Sequence, residues 1–375
     1  MALAFFVYLG LMLALIAAWF RPARMVAGGM SVSAMSAINW ATMISITLFT
    51  LLIGGRYNVG GDFINYLDMY RFTTVGASND NVFVEPGFLL MMQFLKLLGM
   101  PERSVIVASS LIQIILFSLW LRKHPQIAPF AVFGFTTLLL LDVNNIIRQG
   151  VAFFAILLAI SAITDQRWIK FLAWGVFAYM FHKSALLVIP VCVLIRWLPF
   201  TKVQLQVTAL ILSYMFVGLF FDQIVNIFTI LAEVIGYSSY SNISRADLAF
   251  TQQEKTFNLG VYFWPIVDMT IILFSSKMNS HYKFLHYRLY HNFYLVAALL
   301  QPVANAWDFI PFARGIFYFV AMRSICVGFL LHYCLMVSGK PRDVVIAIGM
   351  GAAFLTWFIV AISRGAAWSA PYQFY

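Results

Sequence analysis

Residues 39–66 read NWATMISITLFTLLIGGRYNVGGDFINY, and this stretch indicates the class of the protein. Its apolar half ends at Gly55 and is followed at once by Arg56 and, after two further glycines, by Asp62. A helix needs roughly 20 mostly apolar residues to cross a bilayer, because each residue adds 1.5 Å. The stretch therefore predicts a membrane-spanning helix that ends at the lipid surface, with the positive Arg56 and the negative Asp62 just beyond its end.

The composition extends this prediction to the whole chain. Of 375 residues, 62% are hydrophobic and only 10% are charged, whereas soluble domains carry roughly 25% charged residues. We therefore predict a single all-α integral membrane domain over residues 1–375, with about twelve transmembrane helices. The apolar runs lie at 3–20, 37–54, 104–121, 127–142, 146–163, 168–181, 184–198, 205–221, 259–275, 292–306, 315–336 and 343–362.

The net charge of +10 would favour a nucleic-acid partner in a soluble protein. Here the basic clusters fall on alternate breaks between apolar runs, as expected for cytoplasmic loops, so no nucleic-acid partner is predicted. The opposite, outer face then receives two long loops, 55–102 and 222–258. Within the first loop, the apolar segment 86–99 is too short to span comfortably, and we predict an interfacial or re-entrant half-helix.

No metal or cofactor is predicted. The three cysteines all lie in apolar runs, and no cluster of acids has the spacing of a divalent-ion site. His281, His286 and His291 are spaced by five residues, which rotates each about 140° around a helix and away from a shared face.

Ionisable residues beside apolar runs are the most informative feature, since each costs about 2.5–3.5 kcal/mol in lipid and usually faces a cavity or a partner. Asp268 and Arg323 lie deep in their runs at matching depths, which predicts an ion pair between two helices. The others fall at outer-face breaks: Arg56, Asp62, Glu85, Arg148, His182, Lys183 and Arg314.

Two arginines begin helices on the outer face. NNIIRQG places Arg148 and Gln149 in a first turn, and DFIPFARGIFYF places Arg314 similarly, with Tyr318 one turn further along the same face. Guanidinium groups grip phosphate oxygens, often through two hydrogen bonds, and helix N-termini favour anions. The pattern predicts binding of a lipid-linked phosphate or diphosphate, with snorkelling of single arginines as the alternative.

The acids and the histidine predict a second set of contacts. Asp62 follows two glycines, and Tyr66 and Tyr70 lie one helical turn apart, offering faces on which sugars can stack. Glu85 precedes a proline and is expected in an extended turn at the foot of the half-helix. His182 at a helix end can accept a proton, although a structural hydrogen bond is the commoner role for such a residue.

The order of these motifs resembles the EpsG-like family of Wzy-type polymerases, which build exopolysaccharide and O-antigen chains in bacteria. The resemblance covers roughly residues 50–320 and rests on RYNVGGDFINY, EPGF, NIIRQ, FHKSA and ARGIFYF. One departure is GGD at 60–62, where GTD is the more usual form, which removes any role for a hydroxyl at that position.

The resemblance implies a metal-independent, GT-C-like glycosyltransferase of the bacterial inner membrane whose site faces the periplasm. Its donor would be a glycan on undecaprenyl diphosphate, its acceptor a repeat unit on the same lipid, and a chain-length regulator protein an expected partner. Arg148 and Arg314 would grip the diphosphate, with Arg56 as a third candidate. The acceptor hydroxyl would be oriented or deprotonated by one of three residues, Asp62, Glu85 or His182.

Three other classes share some of these features. An O-antigen ligase uses the same donor but usually carries a larger late outer loop than 222–258. A flippase or transporter of lipid-linked sugars would line a path across the whole membrane with charges and would show repeats. A polytopic acyltransferase would place its catalytic histidine early, whereas the first histidine here is His124, at a basic cytoplasmic break.

Overall fold

The computed structural model of the chain describes residues 1–29, 31–75, 84–234, 262–306 and 310–374. These residues are predominantly helical and form no β-strand, apart from one isolated bridge between Arg56 and Phe374. A helix satisfies its backbone hydrogen bonds internally, which lipid requires. The predicted all-α class is confirmed.

The chain divides into two compact units, residues 1–190 with 327–375 and residues 191–326. In chain order the helices are α1 (Ala2–Ala27), α2 (Ser31–Phe49), α3 (Phe63–Phe72), α4 (Pro86–Leu97), α5 (Ser104–Lys123), α6 (Ala128–Leu138), α7 (Leu140–Asn145), α8 (Ile147–Thr164), α9 (Trp168–Phe181), α10 (Ala185–Trp197), α11 (Val203–Val234), α12 (Phe263–His281), α13 (Tyr287–Ala306), α14 (Ile310–His332) and α15 (Pro341–Ser363).

Among the described residues, six helices are long and apolar enough to cross a membrane: Ala2–Ala27, Ala34–Gly54, Ser104–Lys123, Ile147–Thr164, Phe312–Val337 and Pro341–Ser363. Several of the other predicted spans are shorter helices; α9, for example, has 14 residues, a length of about 21 Å. That is less than the roughly 30 Å of a hydrocarbon core. The structure thus supports a polytopic membrane protein, while twelve spans and a GT-C-like architecture stay predictions.

Helix α8 is the centre of the first unit. Almost all of it is buried, and its neighbours are α5 and α9. This burial on every side explains why its sequence is apolar all round instead of carrying a polar face. Residues in its first turn, including Arg148, are consequently held by a well-packed framework.

A break separates α7 from α8 and shapes the backbone before Arg148. Ile146 leaves the helical region there, at φ −97° and ψ 63°. The Gln113 side chain of α5 donates to the carbonyl oxygens of Val143 and Ile147 at 3.3 and 3.0 Å, so these buried groups stay satisfied. Gly150 makes room, because a Cβ there would lie 2.7 Å from the Gln113 Nε2 atom.

The two predicted outer-face loops differ in outcome. The first contains the expected half-helix, since α4 spans Pro86–Leu97 within the predicted 86–99. The prediction of the second loop, 222–258, was wrong over residues 222–234, because α11 bends at Phe220 but continues to Val234. Residues 219–234 contain neither glycine nor proline to end the helix. Residues 235–258 lie outside the described chain.

In the second unit, the predicted pair of Asp268 and Arg323 is confirmed. Arg323 donates from Nε and Nη2 to the two Asp268 oxygens at 2.9 and 3.0 Å, linking α14 to α12. Tyr294 donates to the same carboxylate at 2.7 Å, and Gln301 accepts from Arg323 at 3.2 Å. Both charges are buried, so this network holds three helices of the unit together.

Candidate functional site

An ion pair joins two of the sequence motifs in the first unit. The Glu85 carboxylate accepts a hydrogen bond from Nη1 of Arg148, and the side chains are 8% and 16% exposed. Glu85 lies just before α4 with an extended backbone at ψ 143°, as its place before a proline predicted. Arg148 lies in the first turn of α8. EPGF and NIIRQ therefore contribute to one place in the fold.

Two aromatic rings hold the other faces of Arg148. Its guanidinium carbon lies 5.8 Å from the Tyr66 ring centroid and 5.7 Å from that of Phe88. The two rings contact each other edge to face at 5.8 Å. A guanidinium within about 6 Å of a ring face is attracted to it. The carboxylate and the rings together fix Arg148 in one position.

The turn between α9 and α10 contributes a third motif, FHKSA. The Lys183 N–H donates to Glu85 Oε1 at 3.5 Å. His182 is buried, with Nδ1 2.7 Å from Ser184 Oγ and accepting from the Ser184 N–H at 3.4 Å. A neutral ring that accepts at Nδ1 carries its proton on Nε2. Whether Nδ1 of His182 donates or accepts toward the Ser184 hydroxyl depends on the tautomer, so these contacts fix the position of the ring and leave its role as donor or base open.

Gly87 explains why the start of α4 can reach the end of α9. A Cβ at this position would lie 2.8 Å from Met180 Cβ and 2.9 Å from the Met180 carbonyl oxygen. Cβ atoms do not approach backbone this closely, so any side chain would push α4 away from α9. Because Glu85 precedes α4 directly, the glycine of EPGF sets the position of the ion pair.

The GGD motif packs against the end of α7. Gly60 has φ +105°, a conformation that favours glycine, and a Cβ there would lie 3.2 Å from the Asn144 carbonyl oxygen. The Gly60 N–H donates to the Trp368 carbonyl oxygen at 3.0 Å. The Asp62 N–H donates to Asn145 Oδ1 at 3.1 Å. The half-buried Asp62 is thereby held beside α7.

Asp62 and Arg148 belong to one site through shared neighbours. Asp62 begins α3, its carbonyl accepts from the Tyr66 N–H at 3.1 Å, and the Tyr66 ring contacts Arg148. In addition, the Asn145 side chain accepts a hydrogen bond from the Asp62 N–H, and Asn145 precedes Arg148 by three residues. A chain of pairwise contacts thus connects four segments: the GGD loop with α3, the start of α4, the α7–α8 junction and the 182–184 turn.

Arg56, expected as a third phosphate ligand, has a different environment. It is 1% exposed, and its guanidinium donates to the carbonyl oxygens of Val59 at 3.1 Å, Asn144 at 2.8 Å and Ile53. A guanidinium used in this way fixes backbone segments to one another. The geometry favours a structural role for Arg56 over contact with a ligand.

The residues predicted to stack on or hydrogen-bond a sugar, Tyr66, Tyr70 and Gln149, are also buried. The Tyr66 ring is buried, with the Arg148 guanidinium over it and Phe88 in edge-to-face contact. Tyr70 donates to the Met100 carbonyl oxygen, and the Lys96 ammonium lies 5.2 Å from its ring centroid. Gln149 is buried in α8. Both tyrosine rings are buried in this structure, and stacking of a sugar on them stays a prediction.

Arg314 and Tyr318 lie in the second unit. Arg314 is half-buried near the start of α14, as the sequence predicted. Tyr318 is 0% exposed, with its ring centroid 6.1 Å from that of Phe317, which favours a packing role. Across the described ranges of both units, no group of three or more His, Cys, Asp or Glu side chains is arranged to hold a metal ion.

The comparison with protein families identifies the chain. The model of the EpsG family matches residues 39–374. The chain belongs to the EpsG family. This is a Wzy-like polymerase family, and the match includes every site residue described above. No curated protein and no solved structure matches the chain.

Some site residues escaped the sequence analysis. Gln113 satisfies the α7–α8 break, and its polar side chain within an otherwise apolar run was the available signal. The Lys183 contact is made by its backbone N–H, which carries no signal in side-chain chemistry. Trp368 lies beyond the motifs that carried the resemblance, and nothing in the sequence connects it with GGD.

Proposed function

We propose that this EpsG-family protein is a polysaccharide polymerase that transfers a growing glycan from undecaprenyl diphosphate to a lipid-linked repeat unit. The observation that carries the proposal is the Arg148 guanidinium, fixed by Glu85 and two rings at the start of the most buried helix. A fixed cation at a helix N-terminus is suited to the departing diphosphate of such a transfer.

We assign to Arg148 the binding of the diphosphate, and to Glu85 the task of holding Arg148 in place. A guanidinium has five N–H donors in a rigid fork, and the Glu85 contact uses Nη1. Donors remain for phosphate oxygens, and the N–H groups of the first α8 turn add partial positive charge. The negative charge that develops on the leaving group is thereby stabilised by this chain's own residues.

Asp62 is assigned to the acceptor hydroxyl. Asp62 is only half-buried, whereas His182 is buried and bonded to Ser184, and Glu85 is engaged by Arg148. The acceptor oxygen forms a bond to the anomeric carbon, its proton passes to Asp62, and the electron pair of the broken bond leaves with the diphosphate. Asp62 then returns the proton to solvent or to the product phosphate.

The proposed location of the protein is the bacterial inner membrane, with this site facing the periplasm. It is supported by the basic clusters on alternate breaks, which favour the cytoplasm. Arg314 stays a separate candidate phosphate ligand in the second unit, and a chain-length regulator an expected partner. No metal ion is assigned a role, and the reacting lipid-linked glycans are the ligands.

The test is the glycan ladder of cells that lack the protein and are complemented with Arg148→Ala at matched membrane expression. Arg122→Ala is the control, because Arg122 lies in the last turn of α5 and contacts Asn39 at 2.8 Å, away from the site residues. We expect Arg148→Ala to leave single repeat units at the cell surface without long chains, and Arg122→Ala to restore the ladder.

Other outcomes identify the rival functions. If the deletion strain delivers no repeat unit to the surface, the protein is a transporter. If it makes long chains that are never attached to their final acceptor, the protein is a ligase. A normal ladder from Arg148→Ala would remove Arg148 from the proposed site.

A further inference from the structure

The segment 365–374 returns to the GGD loop and is fixed there by several bonds. The Tyr57 N–H donates to the Gln373 carbonyl oxygen at 2.9 Å, and the Gly60 N–H donates to the Trp368 carbonyl oxygen at 3.0 Å. Tyr372 is buried and donates to the Leu52 carbonyl oxygen. The segment is therefore attached at Trp368 itself and again at Tyr372 and Gln373.

Trp368 combines high exposure with an unfavourable backbone. Its side chain is 73% exposed, while Ala367 and Trp368 adopt φ of +52° and +56°. This left-handed region is disfavoured for residues with a Cβ, and such conformations persist where surrounding contacts enforce them, often at functional sites. The bonds to Gly60 and Tyr57 supply that enforcement and hold the indole at one place on the surface.

The indole lies directly against Gly61. A Cβ at position 61 would be 2.9 Å from Trp368 Cδ1, 3.1 Å from its Nε1 and 3.3 Å from Asn145 Oδ1. Only a residue without a side chain lets the ring approach so closely. The ring is consequently adjacent to Asp62, the next residue, and to the Asn145 amide that binds the Asp62 N–H.

We propose that the Trp368 indole is a stacking surface for a sugar ring of the acceptor, with Asp62 and Asn145 as hydrogen-bonding partners for its hydroxyls. The identification of that sugar with the acceptor rests on the proposed function. An exposed, rigid aromatic face beside a carboxylate and an amide matches the two sides of a pyranose, apolar C–H groups and polar hydroxyls.

A tryptophan at the membrane–water interface would explain the exposure alone. It would not explain the two left-handed residues, the bonds to the GGD loop or the close approach to Gly61. These features place the indole relative to Asp62 instead of relative to lipid. They also supply the exposed aromatic surface that the buried Tyr66 and Tyr70 do not.

Binding can be tested without turnover. The purified protein, labelled with 5-fluorotryptophan in lipid nanodiscs, is titrated with lipid-free oligosaccharides cut from the producing cell's own polysaccharide, and with dextran as control. Trp368→Phe assigns the ¹⁹F resonance. We expect it to shift saturably with the cognate oligosaccharide and not with dextran, while the resonance of Trp40, 64% exposed on α2, stays unchanged.

An unmoved Trp368 resonance overturns the proposal. If the resonance is broadened by spin-labelled lipid and does not shift with the oligosaccharide, Trp368 is a membrane anchor, and the stacking proposal is overturned as well. Since Trp368→Phe retains an aromatic ring, Trp368→Ala provides the second variant. Its folding is checked by gel-filtration profile and by the unchanged positions of the other fluorine resonances.

Kinetics separate stacking from a structural role. With lipid-linked substrates, Trp368→Ala is expected to raise KM for the acceptor about tenfold with little change in kcat, and Trp368→Phe to restore most of the loss. Gly61→Thr, which displaces the indole, is expected to raise KM as Trp368→Ala does and also to lower kcat, because its Cβ would lie 3.3 Å from the Asn145 Oδ1 that holds Asp62. A loss of kcat alone in Trp368→Ala would contradict acceptor stacking.

The proposal and the polymerase assignment fail separately. If the Trp368 resonance does not shift but the glycan ladder is lost in Arg148→Ala cells, the stacking surface is ruled out and the polymerase assignment stands. A saturable shift in a protein whose deletion leaves the ladder intact keeps a saccharide site and removes polymerisation as its purpose.

Discussion

The Glu85 carboxylate accepts a hydrogen bond from the Arg148 guanidinium across 63 residues of sequence, and this pair defines the site. Neither group is well solvated. Removing one partner of such a pair leaves a poorly solvated charge, whereas the intact pair compensates both. The pair therefore keeps an arginine charged and correctly aimed at the edge of an apolar framework.

Glu85 can be separated from Arg148 by substitution. We expect Glu85→Gln to lower the polymerisation rate about tenfold while keeping the protein folded, because the amide still accepts a hydrogen bond but does not fix the cation as firmly. Glu85→Ala should cost more. In a double-mutant cycle, Glu85→Ala with Arg148→Ala should be far less than additive in the rate; full additivity would show that the two residues act independently.

Gly87→Ala tests the contact between α4 and α9. The added Cβ would meet Met180 at 2.8 Å, so α4 should move and carry Glu85 away from Arg148. We expect a loss of activity comparable with Glu85→Ala. Gly99→Ala is not a suitable control, because φ at Gly99 is +66°; Gly10→Ala is, because nothing lies within 4 Å of its Cβ. Equal activity of Gly87→Ala and Gly10→Ala would contradict the argument.

The assignment of the base predicts a contrast between two variants. Asp62→Asn should reduce kcat about 100-fold or more and leave donor binding nearly unchanged, since proton transfer typically contributes about 10²–10⁴ to the rate. His182→Gln can preserve a hydrogen bond to Ser184 and should reduce kcat much less. The reverse order of effects, measured by elongation of lipid-linked repeat units, would transfer the role to His182.

In the second unit, the pair of Asp268 and Arg323 predicts non-additive stability. Asp268→Asn or Arg323→Gln alone should destabilise the protein by about 3–5 kcal/mol, because each leaves an unpaired buried charge. The combination should cost less than either single change. Thermal unfolding in detergent measures this, and a double variant as unstable as the sum of the two would contradict the network.

The sequence predicted whatever depends on local pattern and on the cost of charge in lipid. The half-helix at 86–97 and the Asp268–Arg323 pair follow from length, a proline and matching depths. Arg148 and Glu85 were found separately, but their contact depends on Gly87 fitting against Met180, a tertiary fact. Helix periodicity placed Tyr66 and Tyr70 on one face but could not say that this face packs inward.

Other failures have the same origin. Arg56 looked like a ligand-facing charge, yet backbone carbonyls of three segments surround it, and such partners are invisible in side-chain patterns. The loop expected from residue 222 is helical up to Val234 because apolar residues continue without a breaker. Trp368 is brought to the GGD loop by a return of the chain over some 300 residues, which no local pattern encodes.

The proposed mechanism requires Arg148 to stabilise the departing diphosphate. The most direct measurement is the rate at which purified protein in nanodiscs elongates lipid-linked repeat units, comparing wild type, Arg148→Lys, Arg148→Ala and the Arg122→Ala control. If Arg148 has this role, we expect kcat to fall by about 10²–10³ for Arg148→Ala, to recover in part for Arg148→Lys, and to equal that of the wild type for Arg122→Ala. An Arg148→Ala protein that elongates chains at the wild-type rate would contradict it.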